Sequence, residues 1–188
     1  SKLKLNNNQI NLIDVKYKFS KDFQKISRKS NTYIKNSFEI AFKIIRNGVA
    51  TKIINGPISK KSFLKKKYLG ITEYLARKFE IKQNAMLIFN KNLSVCPVTT
   101  HLPLKNVIKG ITRKAINDKV ILIDNFYKKK LHLKPKIAVL GLNPHCESTN
   151  KFNEDERIIK PAIKKLSKLG YDVTGPYPAD TIFLKNNR

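Results

Sequence analysis

Residues 136–145 read KIAVLGLNPH, and this stretch decides the fold class. Its first half is a short apolar run that predicts a buried strand, and its second half is a turn marked by glycine and proline. Beyond the turn, apolar side chains recur at helical spacing over residues 154–169, and a short strand is predicted at residues 171–174. Strand, helix and strand in this order are typical of an α/β fold with parallel strands.

The same alternation of elements extends towards the N-terminal end. Apolar spacing predicts helices over residues 31–47 and 112–130, and Thr72 stands where it can cap a further helix. Short apolar runs predict the remaining strands, which lie at residues 10–14, 51–54, 85–89 and 93–98, the last two as a hairpin. We therefore predict an α/β fold with a mostly parallel sheet flanked by helices, and no internal domain boundary in residues 1–188.

The charge of the chain is strongly positive, with a formal net charge of +26 from 39 Lys and Arg against 13 Asp and Glu. Only 6 of the 39 cationic residues are Arg, the side chain that reads bases and phosphates best. The lysines are spread over the whole chain, whereas a nucleic-acid-binding surface gathers its cations. We interpret the charge as compositional bias and expect no nucleic-acid partner.

Other features of the composition bear on location. The sequence has no run of about eighteen apolar residues, which argues against a membrane span, and residues 1–11 lack the apolar stretch of a signal peptide. The two cysteines, Cys96 and Cys146, are too few for a disulfide framework or a thiolate zinc site. We expect a cytoplasmic protein without a membrane partner.

Two of the three histidines follow predicted strands. His101 comes after the strand at residues 93–98, and His145 ends the turn after the strand at residues 136–140. Because ligands bind at the carboxyl ends of strands in an open α/β sheet, we expect both histidines to lie close together at one crevice. Asp180 is the best carboxylate candidate near another strand end, whereas His132 is expected to be an exposed loop residue.

The residue types at this crevice suit a metal. Two imidazoles from separate strand ends can share a divalent cation, but a site needs three or more ligands. No third histidine is available once His132 is set aside. On residues and spacing alone, a metal site and a pair of structural histidines remain equally open.

Five sequence motifs, in one order, resemble signatures of the 4-hydroxythreonine-4-phosphate dehydrogenase family. Three are close matches and lie at residues 98–104 (VTTHLPL), 141–145 (GLNPH) and 175–181 (GPYPADT). Two are looser matches and lie at residues 55–60 (NGPISK) and 72–75 (TEYL). The resemblance covers about residues 48–184, and it identifies the chain as the central part of such a protein, without both ends.

The resemblance implies a dehydrogenase that depends on NAD and on a divalent metal. Such enzymes oxidise 4-phosphooxy-L-threonine at its secondary hydroxyl, and the resulting keto acid loses carbon dioxide on the way to pyridoxal phosphate (vitamin B6). The family's fold is similar to that of isocitrate and isopropylmalate dehydrogenases. Its members are homodimers with active sites at the subunit interface.

The resemblance also implies roles for particular residues. His101 and His145 match two of the family's three metal ligands for zinc, magnesium or cobalt (Zn, Mg or Co), and the third lies in a later motif. Thr72 matches a substrate-binding residue, and Ile71 stands where the family usually has a substrate-contacting histidine. Asp180 matches an acidic position that orients a ligand or assists proton transfer. No residue is assigned to NAD, and we expect the 188-residue chain alone to be inactive.

Two alternatives remain open. A paralogous dehydrogenase acting on threonate or erythronate 4-phosphate is favoured by Ile71, since the lost histidine would touch substrate. From another class of protein, a lysine-rich nucleic-acid-binding module on an α/β scaffold would use the positive charge. The dehydrogenase motifs count against this second alternative.

Overall fold

The computed structural model describes residue 6 and residues 8–65, 67–146 and 152–184. Two compact units make up the chain, Ser1–Ile71 and Thr72–Arg188. Within the described residues, no helix is both long enough and apolar enough to cross a bilayer.

The first unit is built on one long amphipathic helix, α1 (Arg28–Arg46). It begins where Ser27 and Ser30 form a capping box, with each hydroxyl accepting a hydrogen bond from the other residue's backbone N–H. The helix ends at Asn47, before Gly48 with a φ of +70°. The helix predicted over residues 31–47 is confirmed, and the cap explains why it starts earlier.

A short helix, α2 (Lys60–Leu64), packs against α1. The ring centroids of Phe38 and Phe63 are 5.7 Å apart, and the Asn31 amide donates to the Ser62 hydroxyl at 2.8 Å. This apolar contact and the hydrogen bond join α2 to α1.

The strands predicted at residues 10–14 and 51–54 are wrong, because both segments have irregular backbone. The side chains of Ile10 and Ile54 are 98% and 99% exposed, so neither segment buries its apolar residues as a core strand would. A short apolar run forms a strand only when a neighbouring strand pairs with it.

The second unit alternates helices with two strands. Helix α3 (Ile71–Lys78) begins at the junction of the two units. The elements after it are α4 (Leu104–Gly110), α5 (Arg113–Phe126), a π-helical turn (Tyr127–Leu131), β1 (Ile137–Leu140), a 3-10 turn (Pro144–Cys146), a second π-helical turn (Asp155–Ile159), α6 (Lys160–Lys168) and β2 (Val173–Tyr177).

Strands β1 and β2 pair in parallel, with Ile137 opposite Val173. The α/β class with parallel strands is therefore confirmed, and these two strands form the sheet in the part of the chain that the structure describes. Strand β2 continues past its predicted end through Gly175, which has a φ of +126°. A Cβ atom there would lie 2.3 Å from the carbonyl oxygen of Val139, so glycine lets the two strands approach.

The core of the second unit lies between α5, α6 and β2. Leu166 is fully buried, and Ile116 and Val120 of α5 and Val173 of β2 belong to the same cluster. Helix α5 begins at Thr112, whose hydroxyl accepts from the backbone N–H of Ala115 at 3.1 Å. The helices predicted over residues 112–130 and 154–169 are confirmed, each with one π-helical turn.

Of two other predictions, the hairpin is confirmed in part and the cap at Thr72 is wrong. The hairpin predicted from residues 85–89 and 93–98 is one antiparallel bridge, in which Ile88 and Val95 exchange backbone hydrogen bonds of 2.8 and 3.0 Å. Thr72 does not cap α3, because the helix already begins at Ile71 and Thr72 lies in its first turn.

Leu166 provides a test of this core. We expect Leu166→Ala to lower the free energy of unfolding by about 2–5 kcal/mol, because it leaves a cavity between helix and sheet. Leu169→Ala is the matched control, since Leu169 is 62% exposed and its loss should cost less than about 0.5 kcal/mol. Urea denaturation followed by circular dichroism measures both values. Equal losses in the two variants would contradict this description of the core.

Candidate functional site

The carboxyl ends of β1 and β2 carry an imidazole and a carboxylate. Because the strands are parallel, the segments that follow them leave the sheet at the same edge. Nδ1 of His145, after β1, lies 4.0 Å from Oδ2 of Asp180, after β2. The two side chains are 75% and 60% exposed, so both are accessible to a small molecule. The structure therefore brings together two of the residues singled out in the sequence.

A tight turn presents His145 at this edge. His145 has a left-handed backbone with a φ of +56°, and Cys146 donates its N–H to the carbonyl of Asn143 at 3.1 Å. His101 has a φ of +55°, but His132, at the end of a helix, has +56° as well. The left-handed conformation alone therefore does not mark a site.

A buried carboxylate fixes the turn before His145. Asp155 is fully buried, and it accepts hydrogen bonds from the backbone N–H of Leu142 at 2.8 Å and of Asn143 at 3.1 Å. The Asn143 side-chain amide also donates to Asp155, at 2.8 Å. Hydrogen bonds to an ionised acceptor are roughly twice as strong as neutral ones. Asp155 therefore ties the end of β1 to the start of the following helix and holds the backbone that leads to His145.

Gly141 lets this carboxylate come close. A Cβ atom on Gly141 would lie 2.6 Å from Sγ of Cys146 and 3.0 Å from Oδ1 of Asp155. Desolvation raises the pKa of the Cys146 thiol, and the negative charge of Asp155 adds to the effect. Cys146 therefore stays a neutral thiol near pH 7, which argues against a nucleophilic role.

His101 lies in an exposed turn before α4. The hydroxyl of Thr100, its neighbour, donates to Oε1 of Glu73 at 2.8 Å. Glu73 lies in the first turn of α3, next to Thr72, and both Thr72 and Ile71 are half-buried. The structure thus links the start of α3 to the turn of His101.

The donor atoms fit a divalent metal in part. His101 and His145 are exposed imidazoles of the kind that bind zinc and related ions. However, no group of three or more His, Cys, Asp or Glu side chains in the described ranges is arranged to hold a metal ion. That His101 and His145 share one cation stays a prediction.

Sequence reasoning missed Asp155 and Glu73. Asp155 lies in a stretch that was predicted only as helix, and Glu73 lies in the TEYL motif at residues 72–75 without an assigned role. The partners of both carboxylates are 12 or more residues away in sequence. A usable signal was the acidic residue in the first turn of each helix, which is a common partner for backbone N–H groups and hydroxyls.

The two parallel strands and the helices packed on them define an α/β protein. The imidazole and the carboxylate at the carboxyl edge of the sheet are a candidate site for a polar small molecule. A comparison with models of known protein families identifies the family. The chain belongs to the family of the pyridoxal phosphate biosynthetic protein PdxA, whose family model matches residues 1–188.

Comparison with individual proteins supports the same family. The 4-hydroxythreonine-4-phosphate dehydrogenase of Sulfurihydrogenibium sp. is 39% identical over 178 residues, which are 93% of this chain and 54% of the relative. The D-threonate 4-phosphate dehydrogenase of Salmonella typhimurium is 32% identical over 155 residues, which are 81% of this chain and 46% of the relative. The chain thus spans about half the length of the curated relatives it matches.

A solved structure extends the likeness to the fold. The 4-hydroxythreonine-4-phosphate dehydrogenase of Klebsiella pneumoniae matches with a TM-score of 0.74 and 27% identity, over 87% of this chain and 51% of that one. The family resemblance seen in the motifs is therefore confirmed, whereas the likeness to isocitrate and isopropylmalate dehydrogenases stays a prediction.

Asp155→Asn tests the account of the turn. We expect the amide N–H groups of Leu142 and Asn143 to exchange with deuterium about tenfold faster or more, because the variant replaces a charged acceptor by a neutral amide. Exchange is measured by NMR. Asp118→Asn is the control, since Asp118 pairs with Lys114 on the surface of α5 and should leave both amides unchanged. Unchanged exchange in Asp155→Asn would show that another group holds the turn.

Proposed function

We propose that this chain forms part of the active site of a 4-hydroxythreonine-4-phosphate dehydrogenase in vitamin B6 biosynthesis. The reaction is the NAD-dependent oxidation of 4-phosphooxy-L-threonine at its secondary hydroxyl, followed by decarboxylation. The observation that carries the proposal is the pairing of His145 with Asp180 at the carboxyl edge of β1 and β2, in a chain of the PdxA family.

In this proposal, His101 and His145 supply two ligands of a divalent metal such as zinc, magnesium or cobalt. Neutral imidazole suits this role, and both rings are exposed. A metal held by these two imidazoles would supply Lewis-acid chemistry, which would lower the pKa of the substrate hydroxyl and stabilise the negative charge that develops during decarboxylation. The remaining ligands come from outside the described residues or from a second copy of the chain.

Asp180 orients the imidazole of His145. A carboxylate that accepts a hydrogen bond from one ring nitrogen of a histidine fixes the tautomer of the imidazole. It thereby directs the other ring nitrogen towards the metal. Nδ1 of His145 lies 4.0 Å from Oδ2 of Asp180, and both side chains are exposed, so a small rotation closes this distance to a hydrogen bond. The same carboxylate is a candidate acceptor for a substrate proton.

Thr72 and Ile71 form the proposed substrate-binding start of α3. Thr72 offers a hydroxyl that can donate to and accept from a substrate, whereas Ile71 offers only apolar contact. Because Ile71 stands where the family usually has a substrate-contacting histidine, it supports a second candidate substrate, threonate 4-phosphate. The D-threonate 4-phosphate dehydrogenase of Salmonella typhimurium, at 32% identity, supports it as well.

We also propose a cytoplasmic homodimer with the active site at the subunit interface, and NAD as the hydride acceptor. The family resemblance supports the dimer and the cofactor. Cys96 and Cys146 are free thiols, which fits a reducing compartment.

Zinc titration of the 188-residue chain, followed through the histidine side-chain NMR signals, tests the metal ligands. We expect the signals of His101 and His145 to shift together, because one ion contacts both rings. His101→Asn should weaken zinc binding at His145 about tenfold or more, since affinity is built from all ligands together.

His132→Asn is the control for this titration. His132 is exposed like the other two histidines and has nearly the same φ, so it matches them in access and backbone conformation. Independent titration of His101 and His145, or an equal effect of His132→Asn, would rule out a shared ion.

NADH formation by the 188-residue chain tests how much of the reaction it performs. With NAD, added zinc or magnesium, and either 4-phosphooxy-L-threonine or threonate 4-phosphate, we expect no turnover. The reason is that only two of the family's three histidine ligands match here, and no glycine-rich dinucleotide loop is present in residues 1–188.

The Sulfurihydrogenibium relative, assayed by its NADH absorbance under the same conditions, serves as the positive control. Robust NADH production by the 188-residue chain would mean that His101 and His145 belong to a complete site, contrary to the proposal.

A further inference from the structure

Glu73 is a carboxylate with one bonded oxygen and one oxygen without a partner. Oε1 accepts the hydroxyl of Thr100 at 2.8 Å. Oε2 is buried and has no hydrogen-bond partner in the described part of the chain. A buried polar atom left unpaired destabilises the folded state, and it does so more strongly when it is charged. Stability alone therefore does not account for a glutamate here, and such groups are expected at functional sites.

The bond of Glu73 joins two motifs that are far apart in sequence. Glu73 follows Thr72 in the first turn of α3, and Thr100 precedes His101. The two bonded residues are 27 positions apart. The contact therefore couples the proposed substrate-binding start of a helix to the turn that carries a proposed metal ligand.

The turn of His101 is held from two sides. A Cβ atom on Gly110, at the end of α4, would lie 2.6 Å from the methyl group of Thr99, so the glycine lets the turn pack directly against α4. On the other side, the next residue, Thr100, is bonded to Glu73. His101 itself is exposed with a left-handed φ of +55°, a conformation that persists only when its surroundings hold it.

The turn of His145 is also held by a carboxylate. There the carboxylate of Asp155 accepts the N–H groups of Leu142 and Asn143. In both turns a carboxylate on a neighbouring helical segment holds the residues just before an exposed histidine. Within the described residues, neither carboxylate forms a hydrogen bond or an ion pair with an imidazole, so its effect passes through the residues of the turn.

We propose that Glu73 is a positioning residue for His101. By fixing Thr100, it sets the backbone turn from which the imidazole extends, and so it pre-organises His101 for a metal ion. This inference rests on the proposed role of His101 as a metal ligand. It assigns Glu73 a part in the site that is separate from the substrate contact of Thr72.

Four variants test the inference, with zinc affinity read from the His101 side-chain NMR signal. We expect Glu73→Ala and Thr100→Val each to weaken zinc binding at His101 about tenfold, the lower end of the effect seen for groups that orient metal ligands. Glu73→Gln should stay within about threefold, because its amide oxygen can still accept the Thr100 hydroxyl. Glu80→Gln, an exposed glutamate just after α3, should have no effect.

The double variant Glu73→Ala/Thr100→Val tests whether the two residues act on zinc binding through one shared bond. If the two residues act through one bond, the double variant should bind zinc about as weakly as either single variant. Multiplied effects would mean that the residues act independently and would overturn the inference. Thr100→Val replaces the hydroxyl by a methyl group of similar size, so it decides the question if Glu73→Ala fails to fold.

The outcomes distinguish this inference from the proposed function. Zinc binding at His101 that is unchanged in Glu73→Ala and Thr100→Val would overturn the role of Glu73 and leave the metal site intact. In the unmodified chain, zinc could shift the NMR signal of His145 and leave that of His101 unchanged. This result would overturn both the inference and the assignment of His101 as a metal ligand.

Discussion

The carboxylate of Asp155 is the constraint on which the site depends. It has no exposure to solvent, and it binds the N–H groups of Leu142 and Asn143 and the side chain of Asn143. Burying a carboxylate is costly unless such donors compensate it, so the turn cannot move away without leaving an unpaired charge in the core. The end of β1, the start of the next helix and the position of His145 are thereby fixed together.

Buried and half-buried carboxylates hold the turns of the candidate site, whereas the side chains proposed to bind ligands are exposed. Asp155 is fully buried and Glu73 is half-buried, and in the described part of the chain neither forms a hydrogen bond or an ion pair with an imidazole. His145 and Asp180 are exposed at the edge of two parallel strands, where a substrate or metal can reach them. In this arrangement the fold positions the candidate site residues through short backbone turns.

The sequence predicted those elements that have a strong local pattern. Helix α1 and the helix over residues 112–130 have apolar side chains at helical spacing and a hydroxyl cap, and strand, helix and strand in order predicted the parallel pair. The strands at residues 10–14 and 51–54 were wrong, because a short apolar run is ambiguous without its pairing partner. Strand ends led to His145 and Asp180. An acidic residue in a first helical turn marks Glu73 and Asp155, but their partners are distant in sequence and no local pattern identifies them.

The most direct test of the account is a crystal structure of the chain grown with zinc, with the metal located by its anomalous scattering. The account predicts a peak about 2.0–2.1 Å from an imidazole nitrogen of both His101 and His145, with Asp180 hydrogen-bonded to Nδ1 of His145. In a dimer, the two histidines at one peak come from the same copy or from different copies. A peak on His132, or no peak on His101 and His145 while zinc is bound elsewhere, would contradict it.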